Sequence, residues 1–519
     1  MDFTIRLIAV ASLVFVMAAC NEVNPPDNGG NNGSGTETPV DTTITTTDTL
    51  SITWNGASAV VVGSHEGVNI TNKNGYVEIS STVKDISYLL NGNGQGQLTI
   101  YGTNRHQLIL SDLTLTCSDG PAINNQCKKS CFVKLNGTNS LTDGNSYTSA
   151  DEDRKAAFFS EGQMIFSGNG SLTIKGNYKH ALASDDYIQF TQSTGSLNLT
   201  ASSDGIHAND GIYFEGGSFS ISAGEEGIQC DTSVIVINDG AINVTKAGDK
   251  GITAYDTILI NGGTIRVTSE YKCIKTKGNL VINNGDIQVI CNGKSSGGGW
   301  GGYSSSSSPE GIEAKGTITI NGGYVYSQSA DDAINSGGDL TINGGYVCAY
   351  STNNDGIDAN GNCYIKGGVI FAIGSRSPEV AIDANSEAKK QLYIQGGTLA
   401  TIGGLENGSQ LTQACYSTSS ISSGKWYALY NGNDLAFVFK AVATTTPMVF
   451  STSSTPSLKS NVTVSGGTTI FDGIGVIDAN VSGGTDVNLS SYTASGGGPG
   501  GGGPGGGGGP GGGGGPGGH

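Results

Sequence analysis

Residues 248–267 read GDKGITAYDTILINGGTIRV. In the second half Ile258, Ile260, Ile265 and Val267 alternate with their neighbours. That is the period of a strand, not of a helix. The doublet Gly262–Gly263 interrupts the alternation. The first half carries Asp249, then Gly251–Ile252. The same order of acid, Gly-Ile, short β-like run and Gly-Gly recurs as SSDGIHANDGIYFEGG (202–217) and NNDGIDANGNCYIKGG (353–368).

Aligning these pairs gives a period. Gly-Ile stands at Gly205, Gly227, Gly251, Gly311 and Gly356, and Ala181, Cys273, Ala333 and Ala381 fill the gaps in steps of 22–25 residues. One longer step holds an insertion, CNGKSSGGGWGGYSSSSSPE (291–310). Counting upstream to Ala122 and Ala157, about ten coils fit between residues 115 and 403. A second column keeps the same register: Asn238, Asn261, Asn283, Asn321 and Asn343 each precede a glycine turn. Stacked Asn side chains can bond to one another as a ladder. Short strands with one apolar face, repeated at this period without helices between them, predict an all-β parallel β-helix. A leucine-rich repeat would need a Leu-x-x-Leu-x-Leu consensus, which is absent.

Composition agrees. With 84 Gly and 36% hydrophobic residues in 519, the chain is too lean for one ordinary globular core of that size. A net charge of −18 argues against nucleic acid and fits cations as partners. Five histidines give no basis for His-rich zinc chemistry. Of ten cysteines, Cys230 and Cys363 fall in inward slots. Cys117, Cys127 and Cys131 lie close enough in sequence for a disulfide in an oxidising envelope.

The expected organisation has five parts. Residues 1–20 (MDFTIRLIAVASLVFVMAAC) join a short apolar run to small residues before Cys20, the pattern of a lipoprotein signal peptide with Cys20 as the lipidated residue. Residues 21–50 are a flexible linker. Residues 51–403 form the β-helix, with 51–115 as its cap or irregular first coils. Residues 404–490 form a C-terminal β region that caps the helix, and 491–519 a Gly/Pro-rich disordered tail. The address this implies is the bacterial envelope, outer membrane or cell surface, held through an N-terminal lipid anchor.

Several stretches resemble a known family. SDGPAI (118–123), NSLTDG (139–144), RKAAFFS (154–160), GSLTIKGNYKHAL (170–182) and DGIHANDGIYFEGG (204–217) are similar, in order, to the bacterial carbohydrate-binding β-helix family, whose type member binds cellulose and polygalacturonate. The resemblance covers about residues 51–400. It implies a right-handed, pectate-lyase-like helix, calcium held by acidic residues on the coils, and a binding role.

The residues themselves point to two constellations. In the last coils Glu313, Asn335, Asp358 and Asp383 share one column, and Glu310, Asp332 and Asp355 another, with Asp331 beside them. Unpaired carboxylates about 4.8 Å apart repel by roughly 3–4 kcal/mol at an effective dielectric near 20. Such a patch calls for a cation, and its all-oxygen donors suit calcium. The best set is Asp331, Asp332, Asp355 and Asp358, with Asp383, Glu310 and Glu313 contributing. Asp204, Glu225, Glu226 and Asp249 form a weaker patch upstream. The second constellation is aromatic: Tyr324 and Tyr346 in one outward slot, Tyr326 and Phe371 in another, with Trp300 of the inserted loop able to fold over them. A column of rings suits the apolar faces of sugars, and it equally suits a packing stack. Two main functions compete: a non-catalytic, calcium-stabilised binder of cellulose-like or acidic pectin-type polysaccharide, and a calcium-dependent lyase with Lys315 or Arg376 as base. A surface adhesin or structural protein is a third reading.

Overall fold

The structure, a computed structural model, describes residues 42–294 and 308–494. The chain divides into Met1–Thr43 and a compact unit, Ile44–His519, and all that follows concerns the second. Each of its coils carries three short strands. In one coil these are Lys250–Ala254, Ile258–Ile260 and Thr264–Ser269. Each pairs in parallel with its counterpart one coil on: Ile252 with Ile274, Ile258 with Leu280, Ile265 with Ile287. About 12 turns stack in this way into a parallel β-helix with 56% strand and, among the described residues, no α-helix.

The repeated Gly-Ile pair now has a physical explanation. Ile206, Ile228, Ile252, Ile274, Ile312, Ile334 and Ile357 stack along the axis, each at 0% exposure. Burying such a side chain stabilises by about 1.5–3 kcal/mol. The glycine beside it marks a close approach. A Cβ on Gly251 would lie 2.1 Å from Val267 Cγ1 and 2.5 Å from the Cys273 carbonyl oxygen. The Gly-Gly doublet serves a different need: Gly263 has φ +85°, a left-handed conformation that side chains disfavour. The asparagine ladder forms as expected. Asn261, Asn283, Asn321 and Asn343 each donate through Nδ2 to the Oδ1 of the asparagine before, at 2.7 Å in every case.

Parallel pairing starts earlier than the repeat is legible. Thr49–Gly56 already lies parallel to Ile86–Gln95, inside the segment expected to be irregular. Two antiparallel hairpin pairings, with Ser58–Val62 and between Val68–Lys73 and Tyr76–Ser81, adjoin this first turn, and Leu50, Ile52 and Trp54 are buried there. At the other end Met448–Ser451 pairs antiparallel with Thr398–Ile402, and the sheet runs on antiparallel through Cys415–Thr418 to Ser490–Tyr492. A six-stranded antiparallel sheet built from residues between Trp426 and Val487 packs on the side of the last coils. All nine described cysteines are buried free thiols, so Cys117, Cys127 and Cys131 are not bridged.

These contacts set an order of sensitivity. In urea unfolding, Gly251→Val is expected to lose about 3 kcal/mol, the upper end for an overpacked site. Asn283→Ala, which gives up two ladder bonds at a half-buried position, should lose about 1 kcal/mol. The reverse order would mean that the coils are not closely packed at Gly251.

Candidate functional site

One ladder of the helix carries the ionisable residues. At each coil the residue before the Gly or Ala and the residue two after it meet on the outside. His207 Nδ1 lies 2.8 Å from Asp204 Oδ2, and Asn335 Nδ2 donates to Asp332 Oδ2 at 2.9 Å. Strand register then stacks these positions from coil to coil. One rank runs His180, Asp204, Glu226, Lys250, Lys272, Glu310, Asp332, Asp355. The other runs His207, Gln229, Thr253, Lys275, Glu313, Asn335, Asp358, continuing through single bridges to Asp383 and Glu406.

Charge along these ranks is balanced over most of their length. Lys250 Nζ sits 2.8 Å from Glu226. Lys272 lies 2.5 Å from Glu310 and 3.1 Å from Glu313, and Lys275 is 3.4 Å from Glu313, which also contacts Lys315. Burial would push the Glu313 carboxyl up, but Lys315, Lys272 and Lys275 outweigh it and hold it down at about 2. This corrects one expectation: Glu310 and Glu313 face lysines and are not free to hold a metal.

Beyond Glu313 the cations stop. Asp331, Asp332, Asp355, Asp358, Asp383, Glu379 and Glu406 have no Lys or Arg ion pair among the described residues. Burial first, and then Asp358, Asp331 and Asp355, push the Asp332 carboxyl up to about 9. Burial together with Glu379 and Asp358 takes Asp355 to about 8, against the pull of the Val380 N–H. Asp358 rises to about 6, and Asp383, buried and hydrogen-bonded to Glu406, to about 9. Asp331 Oδ1 accepts from Asn354 Nδ2 at 2.5 Å. The expected quartet of Asp331, Asp332, Asp355 and Asp358 is thus present as an uncompensated acidic end, but its oxygens do not converge. Among the described residues, donor atoms of three groups come within 4.8 Å of one another at His180–Asp204–His207 and at Asp204–Glu225–Glu226. The upstream patch is therefore the tighter one, and its histidines escaped the sequence reading. The signal was available, since His207 occupies the column of Asp358.

The aromatic column divides. Tyr324 and Tyr346 stack with centroids 4.9 Å apart and planes 4° from parallel, and Tyr324 is 38% exposed. Tyr324 borders a cleft of about 450 Å³ lined also by Arg266, Asp286, Gln288, Thr468 and Asp472. Tyr326 and Phe371 were both expected in a sugar site; Tyr326 borders this same cleft, and Phe371 does not. They are 5% and 0% exposed, packed with Phe437, Phe439 and Phe471 under the C-terminal sheet. A second stacked pair, Tyr364 and Tyr393 at 4.9 Å and 12°, sits on another ladder. Trp300 and Cys20 lie outside the described residues.

Residues 73–356, more than half of the sequence, match the family described as carbohydrate-binding domain-containing protein. The chain belongs to that family. The matched region includes the ionisable ranks as far as Asp355 and both stacked tyrosines, Tyr324 and Tyr346. Among solved structures, a polysaccharide lyase-like protein from C. thermocellum, determined as a gadolinium derivative, is 20% identical over 52% of this chain and 96% of its own, with a TM-score of 0.39. No curated protein matches.

The acidic end has a consequence for stability. Ordinary aspartates titrate near 4. Asp332, Asp355 and Asp383 are raised in the fold, so the folded state binds more protons than the unfolded one. Their contribution is complete below about pH 4 and is lost as pH climbs towards about 9. In chelator the melting temperature should therefore be lower at pH 8.5 than at pH 5.5. A melting temperature that rises over that interval would show that these carboxyls are solvated.

Proposed function

We propose that this protein is an envelope-anchored polysaccharide-binding protein, non-catalytic, with calcium held at the acidic end of its ladder. The observation that carries the binding reading is the coplanar Tyr324–Tyr346 pair, beside a polar cleft and inside the region matched to the carbohydrate-binding family. Tyr324 presents a ring face, and Arg266, Gln288 and Thr468 supply polar groups for sugar hydroxyls. The matched family favours a carbohydrate ligand, and the sequence resemblance points to polysaccharide of cellulose-like or acidic pectin type.

Calcium fits the acidic end on the chemistry of its donors. They are all oxygens, uncompensated by lysine and raised by burial and mutual repulsion. Asp332, Asp355 and Asp358 would hold the ion, with Asp331 and Asp383 at its margin. A bound dication would supply the missing charge and give a uronate carboxylate a point of attachment. The lyase alternative draws no support from Lys315. Burial would lower its pKa, but Glu313 raises it, the wrong direction for a general base. Anchoring rests on the lipobox-like sequence ending at Cys20.

Binding isotherms on soluble cello- and galacturonate oligosaccharides test the reading. Tyr324→Ala should weaken both by about 3–10-fold, of the order of 1 kcal/mol. Chelation should weaken the galacturonates more than the neutral chains. Calcium at 100 times its dissociation constant should add about 2.7 kcal/mol of stability at pH 8.5. In cells, Cys20→Ser should move the protein from the membrane to the soluble fraction. Unchanged binding in Tyr324→Ala would remove the tyrosine platform as the site.

A further inference from the structure

The tightest ionisable group lies away from both of these places. His180, Asp204 and His207 are 7%, 2% and 7% exposed. The imidazole rings stack with centroids 4.4 Å apart. Both Nδ1 atoms face one carboxylate oxygen, Asp204 Oδ2, at 3.1 Å from His180 and 2.8 Å from His207.

Asp204 Oδ1 is already engaged by Ser203 Oγ at 3.2 Å and by the Glu226 N–H at 3.1 Å, which leaves Oδ2 for the histidines. His207 Nε2 lies 3.2 Å from Asp231 Oδ2, and Asp231 is steadied by Gln229 Nε2 at 2.6 Å. With the proton on Nε2, facing Asp231, the neutral ring turns an Nδ1 lone pair towards Asp204. His180 Nδ1 receives the Asp204 backbone N–H at 3.3 Å, so it too is an acceptor. In that tautomer the group offers three donor atoms to a cation.

A metal ion is one such cation. The geometry favours the metal. Three donors each about 2.1 Å from a common ion stand about 3.0–3.4 Å apart, close to the two separations found. The Asp231–His207 contact is the outer carboxylate that metal-ligating histidines regularly carry. Two imidazole nitrogens and one carboxylate suit a borderline dication better than calcium. One side opens on a cavity of about 590 Å³ walled by Lys179, Glu225, Glu226 and Asp249.

We propose that His180, Asp204 and His207 form a binding site for a divalent transition metal ion of the zinc class, with a coordination position open to this cavity. The site is distinct from the acidic end and independent of the glycan reading.

The test uses the protein purified without a histidine tag, stripped with chelator, dialysed and titrated with Co²⁺. Visible absorption reports the coordination and elemental analysis the stoichiometry. One equivalent of Co²⁺ is expected, displaced by Zn²⁺ and not by millimolar Ca²⁺. His207→Gln should abolish uptake, and Asp231→Asn should weaken it 10–100-fold. Asp231 is an exposed residue, so this second variant stands even where the first fails to fold. Asp355→Asn with Asp358→Asn should leave uptake unchanged. No Co²⁺ or Zn²⁺ uptake at micromolar metal, or uptake undiminished in folded His207→Gln or Asp231→Asn, would overturn the proposal and leave His207 as a hydrogen-bonded link between two aspartates.

Discussion

Parallel strands in successive coils lie about 4.8 Å apart, and everything else in this protein follows from that spacing. A parallel β-helix places each residue directly over its equivalent one turn earlier. A column is therefore a chemical choice made repeatedly. Where it holds isoleucine, it builds the core. Where it holds asparagine, each amide feeds the next and the ladder is satisfied along its length. Where it holds charge, like groups are forced together unless neighbouring coils alternate in sign.

The ionisable ranks show how this conflict is managed. Glu226 stands against Lys250, and Glu310 and Glu313 against Lys272 and Lys275. Each is compensated within one or two coils. After Glu313 the alternation ends, and the carboxyls from Asp331 onward have only amides, backbone N–H groups and one another. Their raised proton affinity is the direct result. Natural chains rarely bury several like charges without a purpose, and the ion proposed above would complete the pattern that lysines complete upstream.

How much of this was legible in the sequence depended on whether a residue's environment lay within its own ladder. The Gly-Ile and Gly-Gly signals, the inward isoleucines and the asparagine column are all local to the repeat, and each could be read directly. The acidic run from Asp331 to Asp383 could be read as well. Glu310 and Glu313 were misjudged because their partner Lys272 stands across the long insertion, where the register was hard to carry. Tyr326 and Phe371 look outward by period, and they do point away from the helix core. What hides them is a sheet formed some 60–150 residues later, whose apolar face has no counterpart in the repeat. His180 and His207 occur once each and in different columns, so no periodic pattern joins them. Asp204 meets His180 from the next coil and His207 from three residues on in its own.

The central claim is that the uncompensated end of the ladder is a cation site. It is tested most directly by an anomalous difference map from crystals grown in calcium and measured at long wavelength. The account predicts a peak within coordination distance of oxygens from Asp332, Asp355 and Asp358, with those carboxylates drawn towards it. A map without a peak there, and with the carboxyls hydrogen-bonded to one another as in protonated pairs, would contradict it.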